Sequence, residues 1–387
     1  MVAQVSHPAL RKIGGSMQRR RDMSNSRASW KKVLPTAAAA AVMLTATTAA
    51  VPAEAGAEEK PSATLTVVAS GLKNPRGITA QSDGSVLVAE SGEGLPGCAA
   101  GTRCLGATGA IVKVPFGGSM SRVVTGLPSV AVGAADPTTV NASGPSQAVA
   151  GTTAGGGYTV LSAFGGPGTP ELRSSLGASA KTLGTVFRTG DNKVLGDMVT
   201  HEATLNPDGG DINGNPWRFV QDGAGFLATD AGSNDVVAGP GDGTTSTKYV
   251  LPKNGTAESV PTGIVKSSDG TLYIADMGGG QVGGSRIWKV PPGQQPQVLV
   301  SGLTNIVDIA FDWKGDLLAL SYSSSSLAGA PTPGSLSEID LSTKKVTTIP
   351  TGDRLRQPSG LGVDIFGCVY ITNHSVGTNG QLVRVWY

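Results

Sequence analysis

One strand–turn–strand pattern repeated six times, a composition rich in Gly and Pro but poor in charge, and a spare strand ahead of the first copy predict an all-β fold. The fold is a six-bladed β-propeller of four-stranded blades, with the N-terminal strand completing the last blade. Gly 56 and Pro 24 make up about 21% of 387 residues, against a usual share of roughly 12%. Charged residues are only 15% and aromatics 5%. Such a chain reads as many short strands joined by turns.

The repeat is clearest in "NPRGITAQSDGSVLVAE" (74–90), "VPTGIVKSSDGTLYIAD" (260–276) and "QPSGLGVDIFGCVYITN" (357–373). Looser copies run over 144–162, 215–230 and 305–321. Each has a Pro-x-Gly or similar opening, an apolar strand, a Gly or Asp-Gly turn and a second apolar strand ending in a polar residue. Third strands follow as "GAIVKV", "GTVFRT", "NDVVAG", "SRIWKV", "GSLSEI" and "GQLVRV"; fourth strands include "SRVVTGL" and "QVLVSGL". The sixth copy ends at Trp386-Tyr387 without a fourth strand, while "ATLTVVASGL" (63–72) precedes the first copy. Pairing that strand into the sixth copy closes the ring and removes an exposed edge.

Residues 1–55 stand apart. Eight basic residues lead into "VLPTAAAAAVMLTATTAAVPAEA", which ends in the small-x-small site Ala53-Glu54-Ala55. A basic region, an apolar run and such a site predict a signal peptide, then a linker over 56–62 and the propeller over 63–387. The protein is therefore expected outside the cytoplasm. Lys31-Lys32 against the apolar run favours the general secretory route over a twin-arginine reading of Arg19-Arg20-Arg21. The rival reading retains residues 33–52 as an anchor; Met17 and Met23 are alternative starts. Removing the leader leaves 22 basic against 26 acidic residues, a formal charge of −4. Nothing basic remains to favour nucleic acid or an anionic membrane. In an oxidising compartment Cys98 and Cys104, in the loop "LPGCAAGTRCLGATG", are expected to pair; Cys368, in "GCVYIT", reads as a buried free thiol.

The blades resemble the ScyD/ScyE family, exported propellers related to the NHL and strictosidine-synthase-like superfamily. The resemblance rests on "LKNPRGITAQSDGSVLVAESGEG", the two-Cys loop ending "GATGAI", "NPDGGDINGNP" and "GLTNIVDIAFDWKGDLLALSY". It spans the mature chain and implies the fold and export. It defines no reaction.

Aligning the copies puts one residue per blade at the end of the second strand: Glu90, Ser162, Asp230, Asp276, Ser321 and Asn373, with His374 beside the last. Closure of the ring would gather them round the channel mouth, where propellers bind ligands. Oxygen donors there suit a divalent cation such as calcium. The likeness to lactonase-type propellers implies Glu90, Asp230 and Asn373 as its ligands. The competing reading has each residue satisfying turn amides of its own blade. A second candidate is the crossover "NPDGGDINGNPWRF" (206–219), in which Asp208, Asp211, Asn213 and Asn215 could hold calcium or simply shape a turn. Pro216 stands where an EF-hand loop needs Gly, and Asp222 where it needs Glu.

Catalytic motifs are lacking. The mature chain has only His201 and His374, too few for a three-His zinc site. No G-x-S-x-G or H-E-x-x-H occurs, and "GEGLPG" (92–97) leads into the Cys loop instead of a helix. The expectation is a monomeric binding or auxiliary propeller that holds a small molecule, glycan or protein through its channel face and its long loops at 165–184, 197–215 and 322–335. A calcium-dependent lactonase-like hydrolase and a cell-surface structural module are the alternatives.

Overall fold

The computed structural model describes residues 62–151 and 157–387. The leader and most of the linker lie outside the described residues. Six antiparallel sheets account for the strands. Blade 1 holds β1 of its own, Pro75–Ala80, followed by β2 (Val86–Glu90), β3 (Arg103–Val114), β4 (Ser121–Val132) and the short β5 (Ala142–Ser143). Blade 2 holds β6 (Pro145–Ala150), β7 (Tyr158–Ser162), β8 (Thr185–Arg188) and β9 (Lys193–Asp197). Blade 3 holds β10 (Pro216–Asp222), β11 (Gly225–Asp230), β12 (Asp235–Gly239) and β13 (Ser246–Val250). Blade 4 holds β14 (Pro261–Lys266), β15 (Leu272–Asp276), β16 (Ser285–Val290) and β17 (Gln297–Leu303). Blade 5 holds β18 (Ile306–Phe311), β19 (Leu317–Ser321), β20 (Ser335–Ile339) and β21 (Val346–Ile349). Blade 6 holds β22 (Gly360–Val363), β23 (Val369–Asn373) and β24 (Gly380–Trp386).

The fourth strand of blade 6 is the N-terminal strand Thr64–Leu72, antiparallel to β24 from Thr64↔Trp386 to Leu72↔Gly380. Ring closure therefore follows the expected pairing.

Second strands read as apolar runs because both of their faces are buried. On β2, Leu87 and Ala89 pack toward blade 2, while Val86 and Val88 pack toward blade 6. On β19, Leu317 and Ala319 face blade 4, while Leu318 and Leu320 face blade 6. Strand alternation thus feeds two inter-blade cores from one segment. Fully burying each such Val or Leu side chain contributes about 1.5–3 kcal/mol.

The Pro-x-Gly openings have a packing cause. A Cβ on Gly360 would sit 2.1 Å from the Arg76 carbonyl oxygen, and one on Gly77 would sit 2.6 Å from that of Ser146. The innermost strands converge on the axis, and only a residue without a side chain lets neighbouring backbones come so close. The turn between first and second strands of blade 6 is closed by its Asp: Asp364 Oδ1 accepts from the Phe366 and Cys368 N–H groups, both at 2.9 Å. Gly367 then takes φ +80°.

Three features differ from expectation. The Cys loop is half strand: β3 already begins at Arg103, and Gly106 and Gly109 mark register shifts against β4. Blade 1 gains a fifth strand, β5, paired to β4. The crossover after blade 2 starts with helix α2 (Met198–Leu205), capped by the Asp197 side chain on the Thr200 N–H. The short helical turn expected within 165–184 is α1 (Pro170–Ser175). Cys98 and Cys104 form a disulfide, and Cys368 is a buried free thiol. No helix among the described residues is long and apolar enough to cross a membrane.

Gly360→Ala should lower stability by about 1–3 kcal/mol through overpacking against the Arg76 carbonyl. Gly329→Ala, whose new methyl meets nothing within 4 Å, should leave the urea midpoint unchanged. Equal midpoints for the two variants would contradict the close-approach account.

Candidate functional site

The inner strands leave a cavity of about 330 Å³ on the axis, with walls drawn from all six blades. That volume lies at the lower end of the range for small-molecule sites. Next in sequence to two of its lining residues, Trp217 and Val307, an ion pair joins blades 3 and 5. Arg218 Nε, on β10, donates to Asp308 Oδ2, on β18, at 3.0 Å, and both residues are buried. Arg218 also donates from Nη1 to the Ser146 carbonyl and hydroxyl at 3.2 and 3.0 Å, and from Nη2 to the Ser359 carbonyl at 2.6 Å. Asp308 Oδ2 accepts a further bond from the Leu361 N–H at 3.0 Å. Burial pushes the Asp308 carboxyl upward and Arg218 pulls it back. Strands of four blades thus meet here in one polar knot.

Arg76, on the first strand of blade 1, is also buried, at 8% exposure. Its Nη1 donates to the Ser375 carbonyl at 2.7 Å, and its Nη2 to Asn141 Oδ1 at 2.9 Å and the Ala142 carbonyl at 3.0 Å. Among the described residues no carboxylate comes within ion-pair distance of it. Desolvation, opposed by Tyr322 and reinforced by Arg218, lowers its pKa to about 10. It stays cationic at neutral pH. Trp217 and Tyr322 add aromatic wall; Trp217 is oriented by its Nε1–H donating to the Val307 carbonyl at 2.9 Å, and Tyr322 by accepting from Gln357 at 2.9 Å. Burial raises the Tyr322 phenol further above its usual range, so it remains a neutral hydroxyl.

None of Glu90, Ser162, Asp230, Asp276, Ser321, Asn373 and His374 lines this cavity, whereas Asn215 does. The reason is strand parity. Met277 follows Asp276, Tyr322 follows Ser321 and Ala163 follows Ser162, and it is these next residues that face the axis. The polar residues turn back into their own blades. Glu90 accepts from the Lys73 N–H at 2.8 Å and pairs with Arg122 at 2.6 Å. Asp276 accepts from the Val260 and Gly278 N–H groups, both at 2.9 Å, and pairs with Arg286 at 2.8 Å. Asn373 Oδ1 accepts from the Arg356 N–H at 2.6 Å, and Ser321 donates to the Thr304 carbonyl at 2.7 Å. The Ser162 hydroxyl has no partner among the described residues, and His374 is an exposed residue at φ +51°. Asp230 Oδ1 accepts from the Asn215, Gly232 and Ser233 N–H groups; burial first, then Asp235, raises its carboxyl to about 8.

The crossover oxygens do not gather on one point. Asp208 Oδ2 accepts from Asn234 at 2.6 Å, Asn213 Oδ1 accepts from the Gly168 N–H at 3.0 Å, and Asp211 is exposed. Gly214 serves close approach more than bending, since a Cβ there would lie 2.9 Å from the Cα of Val199 on α2. The stretch is a cover, seated on α2 and the turn between β11 and β12.

A larger cavity, about 670 Å³, lies away from the axis among Trp313, Phe366, Trp386 and Tyr387. Those rings are half to three-quarters exposed and bring no buried polar group to a centre. The axial cavity is smaller but has a fixed, desolvated cation, and that decides between them.

No family model matches the chain, and no curated relative does. Solved structures similar to it include a catalytically inactive virginiamycin B lyase from Staphylococcus aureus with quinupristin, at 12% identity and a TM-score of 0.48 over 84% of this chain and 100% of that one. A putative gluconolactonase aligns at 10% identity, with a TM-score of 0.44 over 84% of this chain and 93% of that one. The apo form of a soluble aldose sugar dehydrogenase from Escherichia coli aligns at 13% identity, with a TM-score of 0.43 over 84% and 99%. At these values none carries an argument about this chain's chemistry.

Asp308→Asn should cost about 3–5 kcal/mol by leaving the Arg218 guanidinium buried without its counter-charge. A double variant, Arg218→Met with Asp308→Leu, should regain part of that loss. Urea unfolding of the three proteins checks both statements.

Proposed function

We propose that the protein is an exported binding propeller that holds a small molecule bearing an anionic group and a flat apolar body in its axial cavity. The single observation behind this reading is Arg76, a buried cation without a carboxylate partner among the described residues, at the wall of a cavity with two aromatic faces. Its Nε–H donates to no described protein atom, so one charge-assisted donor remains for a ligand. Trp217 and Tyr322 offer flat surfaces for the rest of the molecule. The scarcity of His and the lack of a nucleophile motif favour binding over turnover. The ScyD/ScyE resemblance, carried by the blade motifs and the Cys pair, agrees with export and defines no reaction.

The loops singled out in the sequence belong to this reading. Leu327, in the 322–335 loop, and Gly165, at the start of the 165–184 insertion, are part of the cavity wall. They would set the size and shape that the site accepts. The hydrolase alternative needs a polarising cation on the axis, whereas the groups there are two guanidinium cations and one carboxylate, a poor seat for a second positive charge.

The test is a thermal-shift and tryptophan-fluorescence screen of aromatic carboxylates against neutral sugars. Carboxylates should raise Tm and perturb the emission of Trp217, a change lost in Trp217→Phe. Arg76→Lys should weaken binding roughly 10- to 100-fold, the worth of a charge-assisted hydrogen bond of about 1.5–3 kcal/mol. Binding of neutral sugars alone, unaffected by Arg76→Lys, would reject the reading.

A further inference from the structure

The turn between first and second strands recurs round the ring, and in blade 5 its charge pattern is reversed. In blades 1, 4 and 6 the turn carries one acid, Asp83, Asp269 and Asp364, with Ser85, Thr271 and Cys368 after its Gly. The third strand of each then sets a base opposite the second residue of the second strand. These pairs are Lys113 opposite Leu87, Lys289 opposite Tyr273 and Arg384 opposite Tyr370. In blade 1 acid and base meet, with Lys113 Nζ 2.6 Å from Asp83 Oδ2. Blade 5 has Asp312 in the turn, Asp316 after Gly315, and Glu338 opposite Leu318. Where the others set one acid against one base, blade 5 sets three acids together.

Their carboxylates converge: one oxygen from each of Asp312, Asp316 and Glu338 lies within 4.8 Å of the others. The backbone holds two of the three in place. Asp312 Oδ1 accepts from the Lys314 and Asp316 N–H groups at 2.8 and 2.9 Å, and Asp316 Oδ1 accepts from the Leu341 N–H at 2.9 Å. The Asp312 side chain is 1% exposed, yet its Oδ2 has no hydrogen-bond partner. A buried carboxylate oxygen left in that state is costly. Among the described residues the base within ion-pair distance is Lys314. It donates to Glu338 Oε1 at 2.8 Å and stands 3.9 Å from Asp312 Oδ2, beyond hydrogen-bond reach. Asp312 Oδ2 and Glu338 therefore face one point. Three carboxylates against one ammonium leave two negative charges there. Burial first, then Glu338 and Asp312, push the neighbouring Tyr387 phenol up to about 12, with Lys314 opposing them.

We propose that Asp312, Asp316 and Glu338 bind a calcium ion at the β18–β19 turn and that Lys314 swings aside to admit it. The donors are all oxygen, which selects a hard cation over zinc or copper. Calcium holds its oxygens at about 2.3–2.6 Å, so its ligands stand up to about 5 Å apart; magnesium would draw them within about 4 Å. The observed spacing suits calcium. Lys314 is 43% exposed along its side chain, and its ammonium already lies 5.8 Å from the centre of the Trp313 ring. A point charge on a flexible stem, paired at the surface, is held weakly and is screened by salt. Glu338 and Lys314 both line the 670 Å³ cavity, which gives the ion a path from solvent and leaves room for water on its open side. The site shares no residue with the ring of Glu90, Asp230 and Asn373 or with the crossover set of Asp208, Asp211, Asn213 and Asn215.

Titration calorimetry with calcium chloride, read beside Tm in calcium and then in EDTA, tests the proposal. One equivalent per chain, with Tm falling on chelation and recovering on readdition, is the expected result. Glu338→Gln should lower the affinity at least tenfold, and Asp316→Asn, which keeps an acceptor for the Leu341 N–H, should do the same. Lys314→Met removes the competing ammonium and should tighten binding several-fold, a gain that no loss of fold could imitate. Glu90→Gln and Asp211→Asn should change neither the stoichiometry nor the calcium-dependent shift in Tm. Extracellular calcium modules bind at about 0.1–1 mM, so a wild type and a Lys314→Met variant both silent at about 10 mM would overturn the proposal. Binding that survives Glu338→Gln and Asp316→Asn would overturn it too, by placing the ion elsewhere.

Discussion

Everything on the axis depends on one guanidinium. Arg218 reaches Asp308 in blade 5, Ser146 in blade 2 and Ser359 at the start of blade 6, so four of the six blades meet on one side chain or its immediate partners. A ring of sheets has no hydrophobic hub; its apolar surface lies between blades. The centre must therefore be filled by groups that bond to inward-facing backbone. A planar, five-donor cation does this better than a lysine, whose point charge would satisfy fewer carbonyls in fixed directions. The requirement extends outward: Gly77 and Gly360 are needed because strands tied this closely leave no room for a side chain, and Thr262, Ser146 and Ser359 donate hydroxyls from one inner strand to the backbone of the next.

The axial knot also bears on the charge in the cavity. With Asp308 committed to Arg218 and Leu361, no carboxylate among the described residues is left for Arg76, which is held by carbonyls and Asn141. Carbonyl dipoles make a buried cation tolerable without cancelling its charge. The result is a positive potential confined to a small space with aromatic walls, an environment set by the same residues that keep the ring closed.

Much of the fold was legible in the sequence, because repeated period and turn chemistry report it directly. "SRIWKV" and "QVLVSGL" are β16 and β17 residue for residue, and the N-terminal strand pairs where the repeat count required. The site was not legible to the same degree. Aligning repeats finds the position that recurs, and what recurs is the residue that fastens each blade's own turn: Glu90 on Lys73, Asp276 on Val260, Asn373 on Arg356. The residues facing the cavity are the next ones along, and they differ from blade to blade: Ala163, Met277, Tyr322. The lining of this cavity departs from the repeat, so alignment hides it. Helix α2 was missed for a different reason. It depends on the Asp197 cap and ends at Asn206 in the left-handed region, a local signal of eight residues within a Gly-rich crossover.

Asn215 links the axial cavity to the β11–β12 turn of blade 3, where Asp230 and Asp235 are buried. Its N–H is donated to Asp230 Oδ1 at 2.7 Å, and its side chain stands in the wall of the axial cavity. The Ala231 N–H, just past Asp230, donates in turn to the Asn215 carbonyl at 3.0 Å. One residue at the head of β10 is thus held from both sides by the turn that carries Asp230 and Asp235. These acids cannot neutralise Arg76 directly, since Asp230 points into its blade while the wall faces the axis. They can fix the wall's position, and a carboxylate held rigid at Asp230 holds Asn215 with it. The opening glycines and asparagines of 206–215 are what allow that arrangement: Gly214 fits against Val199, Asn213 bonds Gly168, and the chain reaches Pro216 with its last amide already committed. The segment that looks most like a flexible turn is, in the folded protein, the clasp between the buried acids of blade 3 and the wall of the axial cavity.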